Sequence, residues 1–172
     1  GVARFRVYGK PEIPDASDNE LKDFALCDNG GKMISCSDMH FSHMENLIKP
    51  TTGIDMSDGW ETKRRRGPGY DWSILKLGSP CTIERVIVDT LHFKGNFPDT
   101  CSIEGCYEPD KTQDWFLNDN IEWTELLPNS KLAANQETIF ILSKNSPITH
   151  IRFNIIPDGG VSRLRILGRE AS

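Results

Sequence analysis

The sequence predicts an all-β fold, an antiparallel β-sandwich with jelly-roll connections and almost no helix. Short runs of β-branched and aromatic residues recur along the chain and are separated by turn residues. Within 150–156, Ile151 and Phe153 alternate with Arg152 and Asn154, as in a half-buried strand. No amphipathic pattern of three helical turns is present, and 172 residues suffice for one domain with a core.

Eight strands are predicted in chain order: Lys32–Ser37, Trp72–Leu77, Ile83–Phe93, Cys101–Tyr107, Glu122–Leu127, Thr138–Leu142, His150–Ile156 and Val161–Leu167. The turns expected between them include Gly78-Ser79-Pro80, Gly95-Asn96-Phe97-Pro98, Asn145-Ser146-Pro147 and Pro157-Asp158-Gly159-Gly160. Leu21–Leu26 is predicted as a helical turn. Residues 38–71 lack periodicity and are predicted to be long loops of the kind that carry function.

One nine-residue stretch occurs twice. Gly1–Gly9 is echoed in register by Gly160–Gly168, which indicates tandem repeats with a period near 159 residues. We therefore expect residues 1–9 to be the last strand of a preceding repeat, 10–19 a linker and 20–172 one complete repeat. The opening strand would then pair with another chain, with the missing repeat or with a sheet edge.

Composition narrows the classes of partner. The net charge of −5 and pI near 5.4 disfavour general nucleic-acid binding, and no apolar run is long enough for a membrane helix. Five cysteines without a C-x-x-C pair disfavour a disulfide framework and a structural zinc site. Free, mostly buried thiols are expected, in the cytoplasm or, as the alternative, the peroxisome.

The segment Asp58–Arg66 concentrates polar groups. It holds two carboxylates, a hydroxyl, four cations and an indole in nine residues. Arginine can grip a carboxylate through two parallel N–H bonds, and carboxylates can accept hydrogen bonds or carry protons. The segment therefore suits a small anionic substrate, although a solvated charged turn with Trp60 in the core explains the same residues.

Several sequence blocks resemble the allantoicase family, and they run from about Gly30 to Gly168. The blocks are Glu45-Asn46-Leu47, Asp58-Gly59-Trp60-Glu61-Thr62, Asp71-Trp72, Leu77-Gly78, Val88-Asp89-Thr90, His92-Phe93-Lys94-Gly95-Asn96-Phe97-Pro98 and Pro157 to Arg165. The resemblance implies a galactose-binding-domain-like sandwich and a two-repeat parent. The order of elements is also similar to that of discoidin-like sandwiches.

The resemblance implies hydrolysis of allantoate to ureidoglycolate and urea, with no cofactor and no metal. It also implies that the partners are the preceding repeat and further copies in a homo-oligomer. Many family members have a His where this chain has Tyr70, which is a poor base at neutral pH because its ordinary pKa is near ~10. A non-catalytic repeat, either ligand-binding or structural, is therefore kept as the alternative function.

Asp58, Glu61, Arg64, Arg66, Asp71 and His92 are predicted to surround one end of the sandwich. The expected catalytic residues are Asp58, Glu61, Asp71 and His92, and the expected substrate-binding residues are Arg64, Arg66, Asn46 and Trp60. Arg64 and Arg66 would share one side of an extended segment. Arg163 and Arg165 are interpreted as structural. Asp38, His40, His43 and Glu45 have the composition of a metal site but lack a diagnostic spacing.

Overall fold

The computed structural model describes residues 21–111 and 120–171, and its strands confirm an all-β fold. Three short 3-10 helices, Cys27–Asn29, Met44–Ile48 and Met56–Asp58, are the helices of the described residues. The strands are β1 (Lys22–Asp23), β2 (Lys32–Cys36), β3 (Trp60–Glu61), β4 (Asp71–Asp89), β5 (Thr100–Cys106), β6 (Thr124–Lys131), β7 (Glu137–Ile141), β8 (Ile148–Ile156), β9 (Gly160–Val161) and β10 (Arg163–Glu170). All strand pairs in these two ranges are antiparallel.

Strand β4 turns a corner and contributes to both layers of the sandwich. Its first half pairs with β2 and β8 and its second half with β7 and β10. The front layer has the order β2, first half of β4, β8, β5, β6, and the back layer has β1, β10, second half of β4, β7. The register shifts between Lys76 and Cys81, where the corner lies.

The corner brings both ends of β4 to one end of the molecule. A straight strand of 19 residues would span about 60 Å at about 3.3 Å per residue. Asp71 N donates to Pro157 O, and Ser162 N donates to Asp89 O. Pro157 and Ser162 are at most about 18 Å apart along the chain, so β4 must reverse between its two halves. We call the end that holds 157–162 the site end.

Three local predictions change. Leu21–Leu26 is not a helical turn but contains β1, because Phe24 N donates to Ile166 O along β10. The two strands predicted on either side of Gly78-Ser79-Pro80 are one bent strand, in which Gly78 approaches the Asn29 carbonyl. A Cβ at Gly78 would lie 2.0 Å from that oxygen, which explains the glycine. The loop region 38–71 holds β3 and two of the 3-10 helices.

The core lies between the layers. Trp60, Phe24 and Phe153 are among its largest fully buried side chains. All five cysteines are free thiols, three of them buried, as expected. Burial raises the pKa of Cys101 to about 12, so this thiol stays protonated.

Within 21–111 and 120–171, no helix is long and apolar enough to cross a membrane. The predicted strand Gly1–Gly9 and the linker 10–19 lie outside the described residues.

Candidate active site

Two charged sequence blocks run side by side at the site end. Strand β3 pairs with β9 through Trp60 with Val161 and Glu61 with Gly160. The pairing continues past β3, where Thr62 N donates to Gly159 O at 3.1 Å. Further along, Arg65 N donates to Asp158 Oδ2 at 2.8 Å. The segment 58–65 is therefore fixed along its length by 158–163, although about a hundred residues separate them.

A third block, 93–98, completes the junction. Gly160 N donates to Asn96 O at 2.8 Å. The Phe93 ring is fully buried against two glycines, since a Cβ at Gly160 would lie 1.9 Å from the ring and one at Gly59 would lie 2.8 Å from it. Only glycine fits at these positions without displacing the ring. The three blocks singled out in the sequence therefore meet in one place.

Asp58 is held in a network of ion pairs. Its Oδ1 accepts from Lys49 Nζ at 2.6 Å and its Oδ2 from Arg163 Nη2 at 2.7 Å. The hydrogen bond from Lys49, together with the Arg163 guanidinium, lowers the pKa of Asp58 to about 2. Asp58 is therefore ionised at neutral pH and cannot act as the initial proton donor. Its contacts are those of an anchor.

Arg163 has the structural role expected for it. Its side chain is 2% exposed, and it donates from Nε to Thr51 O at 2.6 Å and also to Asp58 O. Arg165 donates to Lys49 O at 2.6 Å. Both arginines therefore fasten the loops of the site end to β10.

Glu61 and His92 both lie at the site end. Glu61 Oε1 accepts a 2.5 Å hydrogen bond from Asn96 Nδ2. His92 Nε2 lies 2.9 Å from Gly53 O, and its backbone is left-handed with a φ of 74°. The Asn135 side chain accepts from His92 N at 2.8 Å and supports that conformation. Neither Glu61 nor His92 lines the cleft that holds the arginines.

A basic cleft of about 470 Å³ opens beside the segment 58–65. The basic cleft is lined by Ser37, Asp38, Lys63, Arg64, Arg65, Arg66, Gly67 and Asp71. Lys63, Arg64 and Arg66 are exposed. Four cations face two carboxylates, so the cleft has an excess of positive charge that favours an anion.

Asp71 lies at the floor of the basic cleft and is 2% exposed. Its Oδ1 accepts from Ser37 Oγ at 2.9 Å and from Arg65 Nη2 at 2.5 Å. Ser37 Oγ in turn accepts from Trp72 N at 3.0 Å. Within the described part of the chain, Arg65, rather than Arg64 or Arg66, pairs with a protein carboxylate.

Ser37 and Arg65 were not predicted as site residues, and Asp38 was predicted only as part of a possible metal cluster. Asp38 Oδ2 accepts from Lys63 N at 2.8 Å and from His40 N at 3.3 Å, so it holds the start of the cationic run. Arg65 is visible in the sequence as part of the cationic run, but its inward direction depends on its backbone hydrogen bond to Asp158, 93 residues away. Ser37 carries no sequence signal, because its partner is 34 residues away.

Two expected substrate-binding residues have internal partners. Trp60 is fully buried and its Nε1 donates to Asp38 O at 2.8 Å, so no part of the indole is accessible to a ligand in this structure. Asn46 Nδ2 donates to Gly59 O at 2.8 Å and to Ser57 O at 3.2 Å. Both side chains brace the loops that carry Asp58 and Glu61.

The remaining candidates also have defined positions. Tyr70, at the position of the family His, is 42% exposed and immediately precedes Asp71. His43 Nδ1 contacts Glu45 Oε2. Within 21–111 and 120–171, no three His, Cys, Asp or Glu side chains are grouped so that they could hold a metal ion.

Comparison with known proteins identifies the family. The family described as "Allantoicase repeat" matches residues 22–171. A probable allantoicase from Pseudomonas fluorescens (strain Pf0-1) is 53% identical over 175 residues, which cover 99% of this chain and 53% of the relative. A probable allantoicase from Stutzerimonas stutzeri (strain A1501) is 50% identical over 173 residues, with 98% and 52% covered.

Solved structures agree with this relationship. The crystal structure of allantoicase from Saccharomyces cerevisiae matches with a TM-score of 0.77 and 40% identity, covering 87% of this chain and 43% of that one. A family 32 carbohydrate-binding module from Streptococcus pneumoniae EndoD matches with a TM-score of 0.61 and 13% identity, which shows the shared galactose-binding-type fold alone. The chain spans about half the length of the curated relatives it matches. By the family match over 22–171 and the identity to these relatives, the chain belongs to the allantoicase family.

Proposed function

We propose that the full-length protein hydrolyses allantoate to ureidoglycolate and urea, and that the basic cleft of this repeat binds the substrate. Membership of the allantoicase family supports the reaction. The observation that supports this binding site is the composition of the cleft, in which exposed cations lie beside a buried carboxylate.

The substrate has the polarity that such a cleft complements. Allantoate carries one carboxylate and two ureido arms on a single carbon. The carboxylate needs cations, and the arms offer N–H donors and carbonyl acceptors. Cleavage of one C–N bond expels urea, a poor leaving group unless it is protonated, and water must reach the central carbon. The site therefore needs an anion clamp, a general acid and a general base.

Arg64 and Arg66 are the proposed clamp for the substrate carboxylate. Both are exposed and line the cleft, while Arg65 is engaged with Asp71. Arginine presents a planar fork of donors that matches a carboxylate, so a pair of free guanidinium groups binds it strongly and with a defined orientation.

Glu61 and His92 are the proposed proton carriers. Both lie at the site end but outside the lining of the basic cleft, so this assignment requires the bound substrate to extend from the cleft toward them. Glu61 is the last residue of β3 and lies two residues before Lys63, the first residue of the cationic run. The Asn96 amide donates a hydrogen bond to one oxygen of the Glu61 carboxylate. The His92 ring lies 2.9 Å from the Gly53 carbonyl at the same end, and imidazole is a common general acid or base. Asp58 is assigned an anchoring role because its two partners keep it ionised.

The assembly follows the family resemblance. We propose that the preceding repeat and further copies of the chain are its partners in a homo-oligomer. The acidic composition supports a small-molecule substrate rather than nucleic acid, and the free thiols support the cytoplasm over an oxidising compartment.

The test is urea release from allantoate, measured with the full-length protein and with this chain alone. Turnover by the full-length protein is expected, and its loss in the double variant Arg64→Ala/Arg66→Ala would connect the activity to this repeat. Arg85→Ala is the matched control, because Arg85 is exposed on β4 of the back layer, outside the cleft. Full activity of the double variant would instead favour a non-catalytic repeat.

A further inference from the structure

Among residues 21–111 and 120–171, the buried carboxylate of Asp71 has two donors on one oxygen and none on the other. Two donors, Ser37 Oγ and Arg65 Nη2, converge on Oδ1. No hydrogen bond from residues 21–111 or 120–171 reaches Oδ2, and Asp71 lines the basic cleft. An ionised carboxylate can accept about four hydrogen bonds, so Asp71 retains acceptor capacity on its cleft side.

The surroundings make that oxygen a fixed and discriminating acceptor. Asp71 is 2% exposed, and hydrogen bonds in such a desolvated place are stronger than those made in water. Ser37 is itself held by Trp72 N, and the Arg65 backbone is held by Asp158. The orientation of the carboxylate, and with it the direction of Oδ2, is therefore set by two positioned donors to Oδ1.

The charge of Arg65 also matters for an anionic substrate. A lone carboxylate in the cleft would repel the carboxylate of a ligand, but the 2.5 Å ion pair with Arg65 offsets its charge. Asp71 Oδ2 can therefore accept a hydrogen bond without strongly repelling an anionic substrate. A ureido group is a suitable complement, because its two inner N–H bonds converge on a single acceptor oxygen.

We propose that Asp71 Oδ2 accepts the N–H groups of one ureido arm, and that Ser37 and Arg65 are positioning residues which aim it. The inference rests on the proposed function and refines it by assigning one side chain to each end of the substrate. Arg64 and Arg66 bind the substrate carboxylate, while Asp71 binds a ureido arm. Asp71 is in this account a specificity-determining contact and not a proton carrier.

Two small probes separate these contacts without requiring turnover. N-Methylurea carries a monosubstituted ureido group and no charge, and glycolate carries a carboxylate and no ureido group. Saturation-transfer NMR with the full-length protein measures the binding of each through its methyl or methylene protons. Binding of both probes to the wild-type protein is the expected starting point.

Opposite losses are expected in two variants. Asp71→Asn should weaken N-methylurea about tenfold or more, because it loses a charged acceptor and turns an amide N–H toward the probe. The same variant should leave glycolate within about twofold. Arg64→Ala/Arg66→Ala should weaken glycolate and spare N-methylurea. Arg85→Ala should change neither.

Ser37→Ala is the second variant, useful if Asp71→Asn does not fold. It removes one donor to Oδ1 but keeps the ion pair, so N-methylurea binding should fall less than in Asp71→Asn, and Ser37→Thr should restore it. Unchanged N-methylurea binding in both folded Asp71→Asn and folded Ser37→Ala would overturn the proposal. A loss of kcat in Asp71→Asn with unaltered KM and probe binding would also overturn it, in favour of a proton carrier.

Failure of the proposed function gives a different pattern. If the full-length protein binds both probes with these opposite losses but releases no urea from allantoate, the ureido contact stands and the reaction assignment is wrong. If urea is released but the Asp71 and Arg64/Arg66 variants do not lose the binding of different probes, the proposed reaction is correct and the proposed role of Asp71 is wrong.

Discussion

The Asp58 carboxylate and the Arg163 guanidinium form a 2.7 Å ion pair that fastens the loop before strand β3 to strand β10. The Arg163 side chain is 2% exposed and that of Asp58 is 14% exposed, so the pair is largely removed from solvent. Arg163 also donates to the carbonyls of Thr51 and Asp58. The pair therefore links the site end to the core sheet, and two predictions follow from it.

The first prediction concerns stability. Arg163→Ala should lower the free energy of unfolding by about 3–5 kcal/mol, because it leaves the Asp58 charge and two carbonyls short of donors. Chemical denaturation followed by circular dichroism measures the change. Arg85→Ala, at an exposed position, should stay within about 0.5 kcal/mol of wild type. Equal stability of the two variants would show that the Arg163 network contributes nothing.

The second prediction concerns pH. The folded-state pKa of Asp58 is lowered from 3.8 to about 2, so the pair stabilises the fold fully above the unfolded pKa. That contribution should disappear as pH falls from 4 toward 2. The difference in unfolding free energy between wild type and Asp58→Asn should therefore be constant above pH 5 (about one unit above the unfolded value) and shrink on acidification. A difference that persists unchanged at about pH 2 would contradict this origin.

The third prediction tests the junction of the three blocks. Gly160→Ala should destabilise the protein by about 1–3 kcal/mol, because its methyl group would overlap the buried Phe93 ring. Gly67→Ala is the matched control, since a Cβ at Gly67 meets no atom within 4 Å. Thermal unfolding of both variants gives the comparison. Phe93→Leu should recover part of the loss in the Gly160→Ala background but not in the control.

The fourth prediction concerns the anion clamp. In the full-length protein, Arg64→Ala or Arg66→Ala should raise the KM for allantoate about 10–100-fold, because each removes a charge-assisted contact to the substrate carboxylate. Steady-state urea release measures KM and kcat separately. A change in kcat alone, with KM unchanged, would indicate that the substrate carboxylate binds elsewhere.

The fifth prediction concerns the proposed proton carrier. Glu61→Gln should lower kcat by about 10²–10⁴ with a smaller effect on KM, since it keeps the shape and the Asn96 contact but removes a titratable oxygen. Glu45→Gln, at an exposed carboxylate on the same end, is a control that should retain activity. Wild-type kcat in Glu61→Gln would return Glu61 to a structural role.

Many of the strands and turns are predicted by local sequence patterns. The alternation of Ile151 and Phe153 with Arg152 and Asn154 predicts a half-buried strand, and β8 confirms the strand. The expected exposure of its second face is wrong, because Asn154 is buried and donates to Ser102 Oγ and Glu104 Oε2. Gly78-Ser79-Pro80 signals a reversal, and β4 does reverse there. The reversal lies inside one strand, because Gly78 packs against the Asn29 carbonyl, and no local pattern announces a partner so distant in the chain.

The candidate site, like the fold, was predicted only in part from the sequence. The sequence by itself determined the family, and the residues of 58–66 predicted a charged segment at one end of the sandwich. Only the tertiary structure decided that Trp60 is core, that Asp58 is an anchor and that Arg65 turns inward to Asp71. The physical reason is that 62–66 is irregular, so side-chain direction there is set by long-range hydrogen bonds such as Arg65 N to Asp158, across 93 residues, and not by strand alternation.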